Sequence, residues 1–171
     1  TMITTAGGGR SGRAARSDDR GQIGGVEALP FGVLIFVIGT LLVVNAWAVV
    51  DARMATDAAA REATRAFVEA PVTDRTGTGE ASAAAVDAGL EALAAHGRDP
   101  ARAQVELTGL QSSSGGFERC ARVTFTVTYE VPALTLPWIG GFGDGIDVAS
   151  SHSELVDPFR DGVPGRADSC S

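Results

Sequence analysis

The chain contains no lysine: all 14 of its basic residues are arginine, set against 21 acidic ones for a net charge of -7. Such an acidic chain lacks the basic face that neutralises phosphates, which excludes nucleic acid as a partner. Cysteine is limited to Cys120 and Cys170, and histidine to His96 and His152. A disulfide-dense miniprotein is therefore excluded, and so is any zinc-ligand spacing. No G-x-S-x-G, H-E-x-x-H or phosphate-binding loop occurs. Gly140-Gly-Phe-Gly-Asp-Gly145 has the wrong spacing for a nucleotide loop and is followed by no helix, so it reads as turn chemistry. His96 falls in the last turn of a predicted helix, where the helix dipole favours a cation, and no Cys, Ser or carboxylate motif accompanies it. These absences lead to the expectation of a non-enzymatic protein with no catalytic, cofactor-binding or metal-binding residues.

What the chain does have is one long segment without charge. From Ala28 to Val50 no residue is ionisable, and Phe31-Gly-Val-Leu-Ile-Phe-Val-Ile-Gly-Thr-Leu-Leu-Val-Val44 dominates the run. About 20 apolar residues at a rise of about 1.5 Å cross a hydrocarbon core of about 30 Å. Val and Ile are modest helix formers in water, but in lipid the backbone must bond to itself, and the helix wins. Pro30 is read as lying near the start, where its missing N–H matters least, and Trp47 suits the headgroup zone at the far end.

Two other readings compete with a retained membrane span. One is a buried helix of a soluble fold. The other is a cleavable signal sequence, because Ala46-Trp47-Ala48 has the small-x-small pattern of a cleavage site. Against cleavage, the apolar core is longer than the roughly 7–15 residues of a signal sequence, and the helical pattern runs through the site. Arg10, Arg13, Arg16 and Arg20 precede the run, while Arg53, Arg61 and Arg65 follow it. That balance places the N-terminus in the cytoplasm and both cysteines outside, where they can pair; two free thiols are the alternative.

Residues 1–22 are rich in Gly, Arg, Ser and Thr and read as a disordered basic cytoplasmic tail. Residues 23–50 form the transmembrane helix, and 51–70 continue it as an alanine-rich stem with Ala55, Ala59, Ala63 and Phe67 on one face. Pro71 ends it. An extracytoplasmic head over 71–160 begins with a second helix, Glu80 to His96, with Thr78 as N-cap, Gly97 as C-cap and Val86, Leu90 and Leu93 as its buried stripe. The period then changes to two. Val105 and Leu107 mark one strand, and Val123, Phe125, Val127, Tyr129 and Val131 mark the clearest one. Ile146 to Val156 is more polar and reads as an edge strand, with a surface loop as the alternative. Between these runs, Leu134, Leu136, Trp138, Ile139 and Phe142 make a Pro/Gly-punctuated loop too apolar for a free surface, read as a lid over the sheet or as a partner or membrane contact. Residues 161–171 read as a flexible tail. The predicted fold class is α+β: a long transmembrane helix continuing into a stem, a second helix and a small three-stranded antiparallel sheet.

Glu27 interrupts an apolar stretch that begins at Ile23. A carboxylate at bilayer depth costs about 2.5–3.5 kcal/mol, and less near the boundary. It either reaches water at the interface or pairs with a cation on a neighbouring subunit and sets the register of an assembly.

Arg20-Gly21 with Val26-Glu27 at the start, and Ile146-Asp-Val-Ala-Ser-Ser-His-Ser-Glu-Leu-Val-Asp-Pro-Phe-Arg160 at the end, resemble the TadE-like pseudopilins of tight-adherence (Flp) pilus systems. The likeness spans residues 20 to 160 and includes the Val-Asp-x-aromatic-Arg finish. It implies a pilin-like fold and a minor pilin or assembly factor, with other pilin subunits, the pilus-assembly machinery and the lipid bilayer as partners. In the family scheme a prepilin peptidase cuts after a Gly, and a Glu five residues later meets the new N-terminus of a neighbour. Here Glu27 is the sixth residue after Gly21, and cutting after Gln22 restores the spacing but loses the Gly. Arg20, Gly21 and Glu27 are thus the assembly residues the resemblance implies. A membrane-tethered extracytoplasmic binding or enzymatic domain, and a secreted protein cleaved after Ala48, are the alternatives from other classes.

Overall fold

A computed structural model of the chain describes residues 20–71, 77–112, 114, 116–133, 135–136, 140–141, 145–166 and 170, with side chains of the first helix from Ala28 onward. It divides into two units, Thr1–Leu42 and Val43–Ser171.

Helix α1 runs from Arg20 to Glu69. It starts earlier than the pattern predicts, because propagation from a formed helix adds a hydrogen bond per residue and carries back even through Gly24 and Gly25. Pro30 lies inside the helix, further from its start than the sequence reading placed it. Most side chains of the uncharged run are exposed, with Leu29 at 66% and Phe36 at 73%, while Leu41, Asn45, Ala48 and Val49 are half-buried. The most apolar window, of mean hydropathy 2.6, has none of its residues buried, which does not favour the reading as a buried helix of a soluble fold. One helix near the N-terminus is long and apolar enough to cross a membrane.

In the second unit, α2 (Gly77–Ala95) is followed by a short 3-10 turn (Pro100–Arg102) and by strands β1 (Ala103–Gln111), β2 (Arg122–Val131), β3 (Thr135–Leu136), β4 (Gly140–Gly141) and β5 (Ile146–Leu155). α2 begins at Gly77, so Thr78 lies within its first turn instead of capping it. Its other end is closed by Gly97 at φ +70°, with Arg98 N–H donating to the Leu93 carbonyl at 3.0 Å and Gly97 N–H to that of Ala94 at 2.8 Å. This paired arrangement satisfies carbonyls that the helix leaves open, and only Gly adopts its backbone angle cheaply.

The main sheet has the order β1-β2-β5 and is antiparallel throughout, with β5 on an edge. β3 and β4 pair separately. On β2 every second residue from Val123 to Val131 is buried, as strict alternation requires. The inner face packs on the second half of α1, where Ala55, Ala59, Ala63 and Phe67 are buried. Alanine allows the helix backbone to come close, and Phe67 then fills the wider end against Phe117 and Phe125, at ring-centroid distances of 5.3 and 5.5 Å. Leu93 of the expected α2 stripe is fully buried; Val86 and Leu90 are partly so.

The segment after Asp161, expected as a flexible tail, meets the head at Val163 and Pro164. Val163 is buried in the core, and the Pro164 carbonyl accepts from Arg119 N–H at 2.8 Å. An apolar anchor and a backbone hydrogen bond offset the chain entropy that the Gly/Pro/Asp composition would otherwise leave free.

Candidate functional site

Helix α1 carries the candidate assembly residues. Arg20, Gly21 and Glu27 lie within its helical span, and their side chains fall outside the described residues. Leu134, Trp138, Ile139 and Phe142 of the apolar connection also fall outside them, while Leu136 belongs to β3. Among the described residues the large exposed apolar side chains concentrate on the uncharged part of α1, where Phe31, Ile35, Leu42 and Trp47 are exposed. A run of this size is far beyond the patches that soluble monomers leave in water.

Beyond Val50 the same helix turns from exposed to buried, and polar contacts fix its register on the sheet. The Thr56 and Ser150 hydroxyls meet at 3.0 Å in a buried setting. Thr64 donates to its own helix at the Ala60 carbonyl, 2.7 Å away, and lies 3.2 Å from the His152 carbonyl. A buried hydroxyl left alone would cost about 1–3 kcal/mol, so these pairs define one position of β5 on α1. Asp51 and Arg98 form an ion pair that ties the end of α2 to α1.

The last turn of α1 is closed from a distance. Arg160 Nη2 donates to the carbonyls of Glu69 at 2.9 Å and Ala70 at 2.6 Å, and its guanidinium lies 5.8 Å from the Phe117 ring centroid. A cation at a helix C-terminus meets both the open carbonyls and the negative end of the dipole. Near it, Cys120 and Cys170 are joined in a disulfide with a Cα–Cα distance of 4.9 Å. On the helix surface, Arg65 Nε donates to Glu69 at 3.0 Å; this bond and then the charges of Glu69 and Glu62 raise the guanidinium above its ordinary value.

The outer face of the sheet is a ladder of hydroxyls. Thr126 lies 2.8 Å from both Thr108 and Ser151, and Thr124 lies 2.8 Å from Ser153. Thr108 sits in the irregularity between Leu107 and Gly109. These groups satisfy one another, as polar cross-strand pairs do.

Two open grooves in the second unit have polar lining among the described residues. One, of about 460 Å³ between α1 and α2, is lined by Ala58, Glu62, Ala88, Glu91, Ala92, Ala95 and His96. The other, of about 270 Å³ at the start of β1, includes Arg102, Gln104, Thr128, Glu130 and Asp147. Arg102, Glu130 and Asp147 are all exposed, so no desolvated charged group is aimed into it. Among the described residues no group of three or more His, Cys, Asp or Glu side chains is placed to hold a metal ion.

No family model matches the chain, and no curated protein or solved structure is significantly similar to it.

Sequence reasoning missed the part played by Gly89. A Cβ there would stand 3.2 Å from Val105 and 3.3 Å from Ala63, at the meeting of α2, β1 and α1. An isolated Gly in a helical pattern is the signal that marks such a position.

Proposed function

We propose that this chain is a non-enzymatic, single-pass, pilin-like component, a minor pilin or assembly factor of a tight-adherence pilus or a related secretion system. The observation that carries the reading is the double use of α1: its exposed apolar part suits lipid, and its alanine-rich continuation is the buried floor of an α+β head. A leash needs no such continuity. The resemblance of Arg20-Gly21, Val26-Glu27 and the closing Val156-Asp-Pro-Phe-Arg160 to TadE-like proteins adds the assembly role and the association with other subunits. The arginine balance supports a cytoplasmic N-terminus, and an oxidising exterior accords with the Cys120–Cys170 pair. Removal of the helix after Ala48 is disfavoured by the packing of Ala48 against the core that holds Ala52, Tyr129, Val131 and Val148. Processing by a prepilin peptidase, if it takes place, falls at Gly21 or Gln22.

Glu27 is the residue on which assembly turns in this reading. A Glu27→Ala variant inserts into membranes as the parent does but is lost from complexes recovered with the pilus-assembly partners. Recovery in equal amounts would remove Glu27 from the mechanism.

A further inference from the structure

Four successive residues of the connection between β1 and β2 each touch the segment that follows β5. Phe117 lies under the Arg160 guanidinium, which is 5.8 Å from its ring centroid. Gly165, at φ +97°, passes so close to Glu118 that a Cβ on it would stand 3.3 Å from the Glu118 Cβ and 3.1 Å from the Arg119 nitrogen. Arg119 is held twice: its N–H donates to the Pro164 carbonyl at 2.8 Å and its Nε to the Arg160 carbonyl at 3.0 Å. Cys120 carries the disulfide to Cys170. Among the described residues it is also the only non-glycine with a positive φ, at +66°. Such backbone is strained outside Gly and persists only where neighbouring contacts over-determine it. Here the Cys120 N–H donates to the Val156 carbonyl at 3.0 Å, and the Val156 N–H to the Ala121 carbonyl at 2.9 Å.

These contacts run on to the end of α1, because the Arg160 whose carbonyl Arg119 holds places its Nη2 on the Glu69 and Ala70 carbonyls. Tied through Cys170, residues 161–166 belong to a closed loop, and Val163 with the Pro164 bond keeps them seated. Untied, the same residues become a free chain end, and the freedom that the disulfide withheld returns to the detached state. We propose that the Cys120–Cys170 bond is a redox latch on the cap of α1: its closure seats Arg160 on the last turn, and its reduction releases that turn. The co-reactant is a dithiol. One of its thiolates attacks the sulfur of Cys170, the more exposed of the two residues; the S–S bond breaks, and Cys120 leaves as a thiolate that takes a proton from water. The second thiolate of the dithiol then attacks the sulfur of the first, which frees Cys170 and passes two electrons in all to the protein. Reduction leaves Arg119 without a fixed Pro164 carbonyl and Arg160 at the root of a loose end, so the last turn of α1 frays. Oxidation is accordingly the step that completes the head. The latch lies wholly in the second unit and is independent of any membrane span.

The full-length chain in detergent micelles is treated with dithiothreitol, reduction is confirmed by intact mass, and hydrogen exchange is followed by mass spectrometry. The expected result is that exchange over residues 65–70 speeds up several-fold on reduction and returns on reoxidation, while residues 123–131 of β2 stay as protected as before. In oxidised Arg160→Ala, residues 65–70 exchange several-fold faster than in the parent, and reduction adds nothing further there. Unchanged exchange over 65–70 in the reduced parent overturns the proposal. Equal acceleration by reduction in Arg160→Ala also overturns it, since the effect then bypasses the cap. Loss of protection over 123–131 on reduction does the same, because the bond is then a staple of the whole head. A bond that resists dithiothreitol in the folded protein is no latch, and that result too overturns the proposal.

Discussion

Arg160 reaches the last carbonyls of α1 from 90 and 91 positions away in sequence. Replacing it by alanine leaves those carbonyls without a charged donor and removes a cation from the Phe117 face, for an expected loss of about 1.5–3 kcal/mol. Arg160→Lys keeps the charge near the helix terminus but supplies no planar fork, so it should fall between the two. Denaturant titration of the detergent-solubilised protein measures both, and a midpoint equal to the parent's for Arg160→Ala would contradict the capping role. At this scale the sequence was least informative. The closing Val-Asp-x-aromatic-Arg could be picked out as a pattern, but a cap is defined by its partner, and pattern carries no information on contacts so distant. Phe159, 81% exposed beside it, shows the same limit: an aromatic in a turn gives no sign of whether it points in or out.

Elements were more legible than contacts, since a helix or strand imprints its own period on the chain. The alternation from Val123 to Val131 identified β2 and both its faces, and the same logic placed β5 on an edge through its polar residues. Boundaries were less so. Thr78 reads as an N-cap and residue 23 as the start of the first helix, yet both fall inside helices that begin earlier. Local punctuation is overridden where an adjoining apolar segment carries the helix back through it. The closing segment shows another such override. Its Gly/Pro/Asp composition reads as loose, but Val163 and the Cys120–Cys170 bond hold it to the connection between β1 and β2. The bond spans 50 residues, and disulfides typically contribute about 2–4 kcal/mol, with chain entropy for a loop of this length near the upper end. The double variant Cys120→Ser, Cys170→Ser should lose that amount and expose the segment after Leu155 to proteolysis first. An unchanged cleavage pattern would show that Val163 and the backbone bonds suffice alone.

For the molecule as a whole, the distribution of apolar surface decides the reading. From Ala28 to Val50 α1 offers most of its side chains outward, and from Ala52 to Val68 one face of it is buried under the sheet, so one helix joins two environments that ordinarily belong to separate segments. The sequence showed this division as a change from Val, Ile and Leu to Ala at Asp51, because lipid favours large side chains and close packing on a sheet favours small ones. It did not show how far the sheet overlaps the apolar run, which depends on the pairing of β2 with β5 and on the seating of Ala48 and Val49. That overlap is also why removal of the run would strip the smaller core of two residues that pack against it.

The central claim is that α1 stays whole, in lipid at one end and in the head at the other. The most direct test is the intact mass of the protein that remains with membranes after alkaline carbonate washing. A retained polypeptide that includes Ala28 to Val50, either unprocessed or trimmed no further than Gln22, is the predicted result. A species beginning at Val49, or release of the full-length chain into the wash, would contradict it.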